Sequence, residues 1–492
     1  MKPYSILQIS DLHRSPHDPI SNAELISALV EDCDRYVNED PKITIPEAIV
    51  VCGDIIRGVK LGTNDHEAQL VQQYKVAEDF LGELANRFLD GDRSRLIIVP
   101  GNHDIDWNVA QKAFEPIALK DIPDNLVSSV PYYDRSDYRL DWKSLTLLRI
   151  ADRDLYEQRL DAFWSFFEKF YSGVSGLLSV QSRADANLFS LCENRIGLAA
   201  FNSCHNNDCY AVHGLIRQEA IARSHLMFKD FGHVFDLRIA VWHHSIEGSP
   251  YCTDYMDADI VRGMIGRGFR LGLYGHQHKT QITPRHICLP DHERMVVVSA
   301  GSLCAGPQEL PTGTNRQYNI LEISPDFRSV RVHVRAMKVA NLFSQDYLLE
   351  FGGASFAHLD WEPMKNSLGS AINAEVTRTR LEIEEAEIAA KTGNPARTVE
   401  LLQMKNLSEG SYERRLFLAA AFETKDWQAV IRVTTRPYTI EELVQRAEAF
   451  IKVNEYAAAN DALDNFSREL KFPESMASEL RKRINALEAM RK

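Results

Sequence analysis

At 492 residues, with 45% hydrophobic and 25% charged residues, the chain is too long for one core and suits two or three ordinary globular domains. No apolar run is long enough to span a bilayer, which excludes a helical membrane protein. The net charge of −13 argues mildly against nonspecific nucleic-acid binding, although two bound divalent cations would dominate the field near a site. Residues 365–492 hold 20 Lys and Arg against 20 Asp and Glu, so the acidic excess lies in residues 1–364. The eight cysteines form no paired framework, and Met1-Lys2-Pro3 leads straight into a core-strand pattern instead of an export signal. A reducing, cytoplasmic location is the expectation.

From residue 4 to about 336, strand and helix patterns alternate. Apolar, β-rich runs predict strands at Ile6–Ile9, Ala48–Cys52, Leu96–Val99, Ile196–Phe201, Leu237–Trp242, Leu271–Tyr274, Met295–Ser299, Tyr318–Ile323 and Val330–Val334. Helical periodicity predicts Asn22–Val37, His66–Phe88 and Leu215–Phe228 between them. This alternation argues for an α/β layered fold, with ligands at the carboxyl ends of strands. About ninety residues separate Asp104 from the strand near Ile196, too many for a plain loop. They predict a helical insertion over about 107–195, with Phe163, Trp164, Phe166, Phe167 and Phe170 mostly forming its own core. Residues 338–364 contain Gly352-Gly353 and lack a period, so they read as a linker. Residues 365–492 turn helical. Gly393-Asn394-Pro395, Lys425-Asp426-Trp427 and Asn454-Glu455-Tyr456 recur there at offsets of 32 and 29, like degenerate tetratricopeptide hairpins; a plain helical bundle is the alternative.

Five polar motifs directly follow apolar strand patterns. Asp11-Leu12-His13 places a carboxylate and an imidazole two residues apart, hence on one face of an extended chain. In Gly53-Asp54, glycine permits close backbone approach and the carboxylate can bridge two cations. Gly101-Asn102-His103-Asp104 offers a neutral amide ligand and a His beside an Asp. Of His243-His244, adjacent side chains point opposite ways, so His243 is the expected ligand and His244 a supporting or substrate-facing residue. Gly275-His276-Gln277-His278 puts two imidazoles on one face. Five of sixteen histidines, His13, His103, His243, His276 and His278, fall at these strand ends as candidates, and a structural explanation would have to hold separately for each. Cys204-His205 with Cys209 lacks a second pair at zinc spacing and reads as a turn. Arg14 and Arg57 are candidate phosphate contacts, and His17-Asp18 a candidate rim.

In this order the five motifs resemble the calcineurin-like metallophosphoesterase superfamily over roughly residues 1–337. The resemblance implies a β-sandwich flanked by helices, with an all-α domain over 365–492 appended. It implies that Asp11, His13, Asp54 and His278 bind one divalent metal, and Asp54, Asn102, His243 and His276 a second. Manganese is expected, with iron, zinc or cobalt as alternatives. His103 would stabilise or protonate the reacting phosphate, oriented by Asp104, while a water bridging the metals attacks phosphorus. Two departures from the usual pattern are Arg57-Gly58 after the second motif and Ser245 after the paired histidines; neither removes a ligand.

The motifs leave the substrate open. The Asp-ending fourth residue of Gly-Asn-His-Asp is similar to SbcD-type DNA nucleases and other diesterases. A nuclease in DNA processing or anti-phage defence is therefore expected, with nucleic acid as substrate. A protein partner, such as an ATPase or helicase, would bind the helical domain, and a homo-oligomer is allowed. The alternatives are a small-molecule or cyclic-nucleotide phosphodiesterase, and a regulatory module with an inactive site, which the intact ligand set opposes.

Overall fold

A computed structural model describes residues 2–117, 137–231 (without 142 and 145), 235–246, 254–282, 287–288, 294–361 (without 307, 308, 312, 339, 340 and 349–352), isolated positions within 383–390, and 394–491 (without 406, 409, 410 and 471). Part of the expected insertion (118–136), part of the expected linker (339, 340, 349–352 and 362–364), and Gly393 lie outside the described residues. The chain divides into two compact units, one holding Met1–Glu247 and Asp254–Met364, the other Lys365–Lys492.

The first unit is built on two sheets. The strands of the first are β1 (Tyr4–Ile9), β2 (Ala48–Val51), β3 (Leu96–Ile98), β14 (Gln317–Ile323), β15 (Ser329–Met337), β16 (Phe343–Gln345) and β17 (Phe356–Asp360). They run in the order β16-β15-β14-β1-β2-β3, with β17 also on β15. The second sheet contains β7 (Ala186–Leu191), β8 (Ile196–Phe201), β9 (Leu237–Val241), β10 (Leu271–Tyr274), β11 (Gln281–Ile282), β12 (Ile287–Cys288) and β13 (Arg294–Ser299). Its order is β11-β13-β10-β9-β8-β7, with β12 on β13. Within these sheets β1, β2 and β3 are mutually parallel, as are β8, β9, β10 and β13.

Period-two patterning explains the layers. In β9, Leu237, Ile239 and Val241 join the core that also holds Ile6, Ile9 and Leu321, while Ala240 faces a second core behind the sheet. Every residue of β1 and β2 is buried, as expected for strands covered on both faces. Helices α1 (Asn22–Asp34) and α2 (His66–Leu89) contribute Leu25, Leu29, Leu70, Tyr74, Ala77, Leu81 and Leu84 to the first core, at helical spacing. Ser21 and Glu24 form a capping box that starts α1. Helices α6 (Gln218–Asp230) and α7 (Ala258–Ile265) cover the second core. The two sheets are also joined by polar contacts: the Gln8 amide donates to the carbonyls of Tyr274 (3.2 Å) and Val298 (3.0 Å), and Asn319 donates to Gln8 (2.9 Å) and to the Ser299 carbonyl (2.9 Å).

Two expectations change. The described part of 107–195 is mixed and not helical: α3 (Trp107–Lys112), a small sheet of β4 (Phe114–Pro116), β5 (Tyr138–Asp141) and β6 (Thr146–Ile150), α4 (Arg153–Glu157), α5 (Asp161–Tyr171), then β7 of the main sheet. The aromatics of α5 are not a separate core. They join the first core, with Phe166 stacked on Tyr74 of α2 (5.1 Å) and the Tyr171 hydroxyl donating to the Leu96 carbonyl (2.6 Å). The stretch read as a linker adds β16 and β17 to the sheet, and Phe343 is fully buried. Strands of three and five residues are too short to show a period in sequence.

The second unit is helical: Pro395–Leu402, Tyr412–Glu423, Trp427–Val433, Ile440–Lys452, Tyr456–Phe466 and Glu474–Arg491. Each of the three recurring tripeptides ends on the first residue of a helix. Asn394 and Asp426 cap with their side chains, and Lys425 and Asn454 take left-handed φ values of 61° and 66°.

Candidate metal centre

Three parallel strands of the first sheet and two of the second deliver the motifs to one end of the first unit. Asp11 and His13 follow β1, Asp54 follows β2, and Asn102–Asp104 form a short 3-10 turn after β3. His243 follows β9, and His276 and His278 follow β10. Main-chain bonds lace these loops together: Asp11 N–H to the Gly53 carbonyl (3.1 Å), His13 N–H to the Asp54 carbonyl (3.0 Å) and Gly275 N–H to the His243 carbonyl (3.0 Å). Two glycines are needed for this closeness. A Cβ on Gly53 would lie 2.6 Å from the His243 ring, and one on Gly101 would overlap Asp54. Asp11, His13, Asp54, His276 and His278 all have left-handed φ, between 46° and 75°. Such conformations cost non-glycine residues about 1 kcal/mol or more each and cluster at functional sites.

The side chains form two adjoining donor clusters. In one, His13 Nε2 lies 3.1 Å from His278 Nε2, and His278 Nε2 lies 3.3 Å from Asp11 Oδ1. One donor atom from each of Asp11, His13, Asp54 and His278 fits within 4.8 Å of the others. In the second, Asn102 Oδ1 is 2.9 Å from both His243 Nε2 and His276 Nδ1, which are 3.2 Å apart. Asp54 Oδ2 stands between the clusters, 3.8 Å from His13 Nε2 and 3.3 Å from His243 Nε2.

The electrostatics are unbalanced without cations. Burial would raise the Asp11 carboxyl, but His278 overrides it and takes it down to about 2. Burial likewise opposes ionisation of Asp54, and His243 and His103 hold it well below the usual carboxylate range. Burial and then His103 press His13 down to about 3. Burial would do the same to His243 and His278, but Asp54 and Asp11 respectively draw them up to about 9. Asp11 Oδ1 has only the His278 ring, at 3.3 Å and outside good hydrogen-bond geometry, and buried His13 Nδ1 makes no hydrogen bond, although such atoms are normally satisfied. Carboxylate oxygens, an amide oxygen and imidazole nitrogens converge where protons and orphaned atoms now share the charge. The set fits a dinuclear divalent metal site.

Residues 4–280, more than half the chain, match the family described as calcineurin-like phosphoesterase. The chain belongs to that family. No curated protein matches it by sequence. Among solved structures it is similar to a dimetal phosphatase from Danio rerio, at 8% identity and a TM-score of 0.39, covering 74% of this chain and 100% of the other. It is also similar to GAP50, the anchor in the inner membrane complex of Plasmodium (11%, TM-score 0.34, 77% and 94% covered). A third is the calcineurin-like phosphoesterase YfkN from Bacillus subtilis (12%, TM-score 0.28, 77% and 96% covered).

In this calcineurin-like phosphoesterase the remaining predicted residues separate. His103 is 41% exposed at the mouth, with Nε2 4.0 Å from Asp54 Oδ2. Asp104 does not orient it. The His103 Nδ1 contacts the Arg57 carbonyl (2.8 Å), while buried Asp104 accepts from Gly101 N–H (2.8 Å), Ile55 N–H (3.2 Å) and the Tyr74 hydroxyl (3.0 Å). Asp104 ties two motif loops to α2; burial and then Asp54 push its carboxyl up to about 7.

Arg14 is not a phosphate contact. It is buried, donates to the Ile20 carbonyl and Asn22 Oδ1, and pairs with Asp18 at 3.2 Å. His244 does not face substrate either: it is fully buried, with Nδ1 on Ser203 Oγ (2.9 Å) and Nε2 on Asn207 Nδ2 (3.0 Å). Burial and then His276 hold it well below the usual imidazole range. Arg57 remains at the rim, half-exposed and paired with Glu309 at 2.8 Å.

Four residues outside the motifs support the site. Asp254 Oδ2 lies 3.1 Å from His276 Nε2, and the Glu309 carbonyl accepts from His278 Nδ1 (2.7 Å). Ser203 Oγ also accepts from the His243 N–H (3.2 Å), and Asn207 holds the far side of His244. Asn and Ser around Cys204 read as turn formers in sequence, and that signal conceals the support role of Ser203 and Asn207. Nothing local marks Asp254 or Glu309.

Proposed function

We propose that this phosphoesterase is a nuclease that hydrolyses phosphodiester bonds in DNA, in DNA processing or defence against phage. The observation that carries the reading is the seven-residue donor set capped by an accessible imidazole, His103, and a half-exposed guanidinium, Arg57. Bound in the donor clusters, two divalent cations, manganese by preference, would supply a water activated near neutral pH and offset charge on the phosphoryl oxygens. Asp11, His13, Asp54 and His278 would hold one cation, and Asp54, Asn102, His243 and His276 the other. His103 is steered by the Arg57 carbonyl so that Nε2 faces the mouth, where the protonated ring can give its proton to a leaving oxygen. The Arg57 guanidinium, fixed by Glu309, offers a charge-assisted contact to a flanking phosphate. The helical unit is read as the surface for a protein partner.

The acidic excess in residues 1–364 favours a second reading, a phosphodiesterase for cyclic or other small phosphodiesters, which needs no basic track. The test is direct. Full-length protein with manganese should degrade labelled single- or double-stranded DNA, and Asp54→Ala and His103→Ala should not. Turnover of cyclic nucleotides with intact DNA would replace the first reading by the second.

A further inference from the structure

Beside the metal centre, the loop after β8 has two working sides. Inward, Ser203 and Asn207 hold His244 and the His243 backbone. Outward, Asn202, His205 and Asn206 form one wall of a cavity of about 820 Å3. That size lies within the usual range of about 300–1,000 Å3 for small-molecule sites. The opposite wall comes from α4, α5 and the segment before β7. Four guanidiniums line the cavity, from Arg153, Arg159, Arg183 and Arg217, against three carboxylates, from Asp137, Glu157 and Asp185. Arginines are concentrated here in a region whose overall charge is acidic.

The loop itself is tightly fixed. Buried Arg159 donates to the carbonyls of Cys204 (3.0 Å), His205 (2.6 Å) and Asn207 (3.1 Å), and buried Arg139 donates to that of Asn206 (3.2 Å) and pairs with Asp208 (2.8 Å). His205 Nε2 accepts from Arg217 Nε at 2.9 Å, so the ring is neutral. Burial first, then Arg217, Arg159, Arg153 and Arg139, hold that imidazole down at about 4. A neutral His205 adds no charge to the cavity wall.

The more exposed guanidiniums are held only loosely. Arg217 lies 3.3 Å from Asp185, Arg183 lies 2.7 Å from Asp161 and Arg153 pairs with Asp137, and in each pair both side chains are at least 38% exposed. Exposed pairs of this kind contribute little. Two guanidiniums on one phosphate make stronger, forked, charge-assisted bonds.

We propose that this cavity is a second anion site, separate from the metal centre, that binds the phosphate of a phosphate monoester through Arg217 and Arg183 with Asn202 and Asn206 beside them. It goes beyond the reading of the reaction and does not depend on which diester is cleaved. A bound anion would brace the loop that supports His243 and His244.

The test is calorimetric titration of full-length protein, as purified, with inorganic phosphate and in parallel with AMP. Asp54→Asn serves as the control for anions on the metal centre. The expected result is binding that persists in Asp54→Asn and weakens at least tenfold in Arg183→Gln/Arg217→Gln. These side chains are half-exposed, so the melting temperature of the double variant should match the parent. Asp185→Asn removes a competing carboxylate and should tighten binding several-fold. AMP binding at least tenfold tighter than phosphate would mark a nucleotide as the ligand, and equal affinity would mark phosphate itself. Absence of heat with both up to about 10 mM, equal affinity in the double variant, or loss of binding in Asp54→Asn would each overturn the proposal.

Discussion

The metal centre and the cluster around Asp32 are both buried, both charged, and both join distant parts of the chain, yet they are built on opposite principles. Asp32 is fully satisfied. Its two oxygens accept from Arg335 Nε (2.8 Å) and a terminal Arg335 nitrogen (2.6 Å), and further from Arg35 (2.8 Å) and the Tyr318 hydroxyl. Arg335 also pairs with Glu39 at 2.7 Å, and Tyr36 and Tyr318 share a 2.8 Å hydrogen bond. At the metal centre, by contrast, imidazole nitrogens face one another at 3.1 and 3.2 Å, and buried His13 Nδ1 lacks a hydrogen bond. A closed network locks α1 onto β15. An open one holds charge in readiness for something absent from the polypeptide. Satisfaction of buried polar groups separates a structural cluster from a working one.

Substitutions should break the two clusters differently. Asp54→Ala removes the only side chain common to both donor clusters, so phosphoesterase turnover should fall by at least about a thousandfold. Steady-state hydrolysis of bis-p-nitrophenyl phosphate would read this. Alanine is less at ease than aspartate at the left-handed φ of 51°, at a cost of about 1 kcal/mol that the fold should survive. His103→Ala should lower turnover by about 10²- to 10⁴-fold with metal content unchanged, because this side chain acts on the substrate and not on the cation. Arg335→Met should do the reverse. Leaving buried Asp32 with only Arg35 and the Tyr318 hydroxyl as partners costs up to about 3–5 kcal/mol, visible as a lower urea midpoint, while activity of the folded fraction persists.

A pH series sharpens the same contrast. Burial raises the Asp32 carboxyl, and Arg335 more than reverses it, so Asp32 titrates below its ordinary value. A depressed folded pKa gives a contribution that is complete above the unfolded carboxyl value of about 4 and is lost below it, as pH falls through the depressed folded value. The unfolding midpoint should therefore drop on acidification through that range. Asp32→Asn should start lower and show a flatter acid limb. Equal slopes would mean that other carboxylates dominate.

The parts of the molecule governed by local pattern were legible in sequence. β8 and β10 match their apolar runs, and α2 starts at His66 where its periodicity begins. The clustering of the candidate donors was legible because each follows such a run, and strand ends are where an α/β fold gathers its loops. What escaped was set by tertiary contact. Asp104 neighbours His103 in sequence but turns to Tyr74, thirty residues away. His244 was open to a substrate role until Ser203 and Asn207 enclosed it. The aromatics of α5 have a strong helical face, but sequence does not say that α2 and β7 receive it. Left-handed backbone at five of the seven donors was only faintly legible, since Asp and His are enriched at positive φ but far less tellingly than glycine.

The central claim is that the orphaned, charge-laden cluster at the strand ends is completed by two cations shared through Asp54. Elemental analysis of protein purified with manganese, zinc, iron and cobalt available, for the parent and for Asp54→Asn side by side, tests it most directly. The account predicts about two divalent ions per chain in the parent and at most about one in the variant. Fewer than about one ion per chain in the parent, or the same content in both proteins, would contradict it.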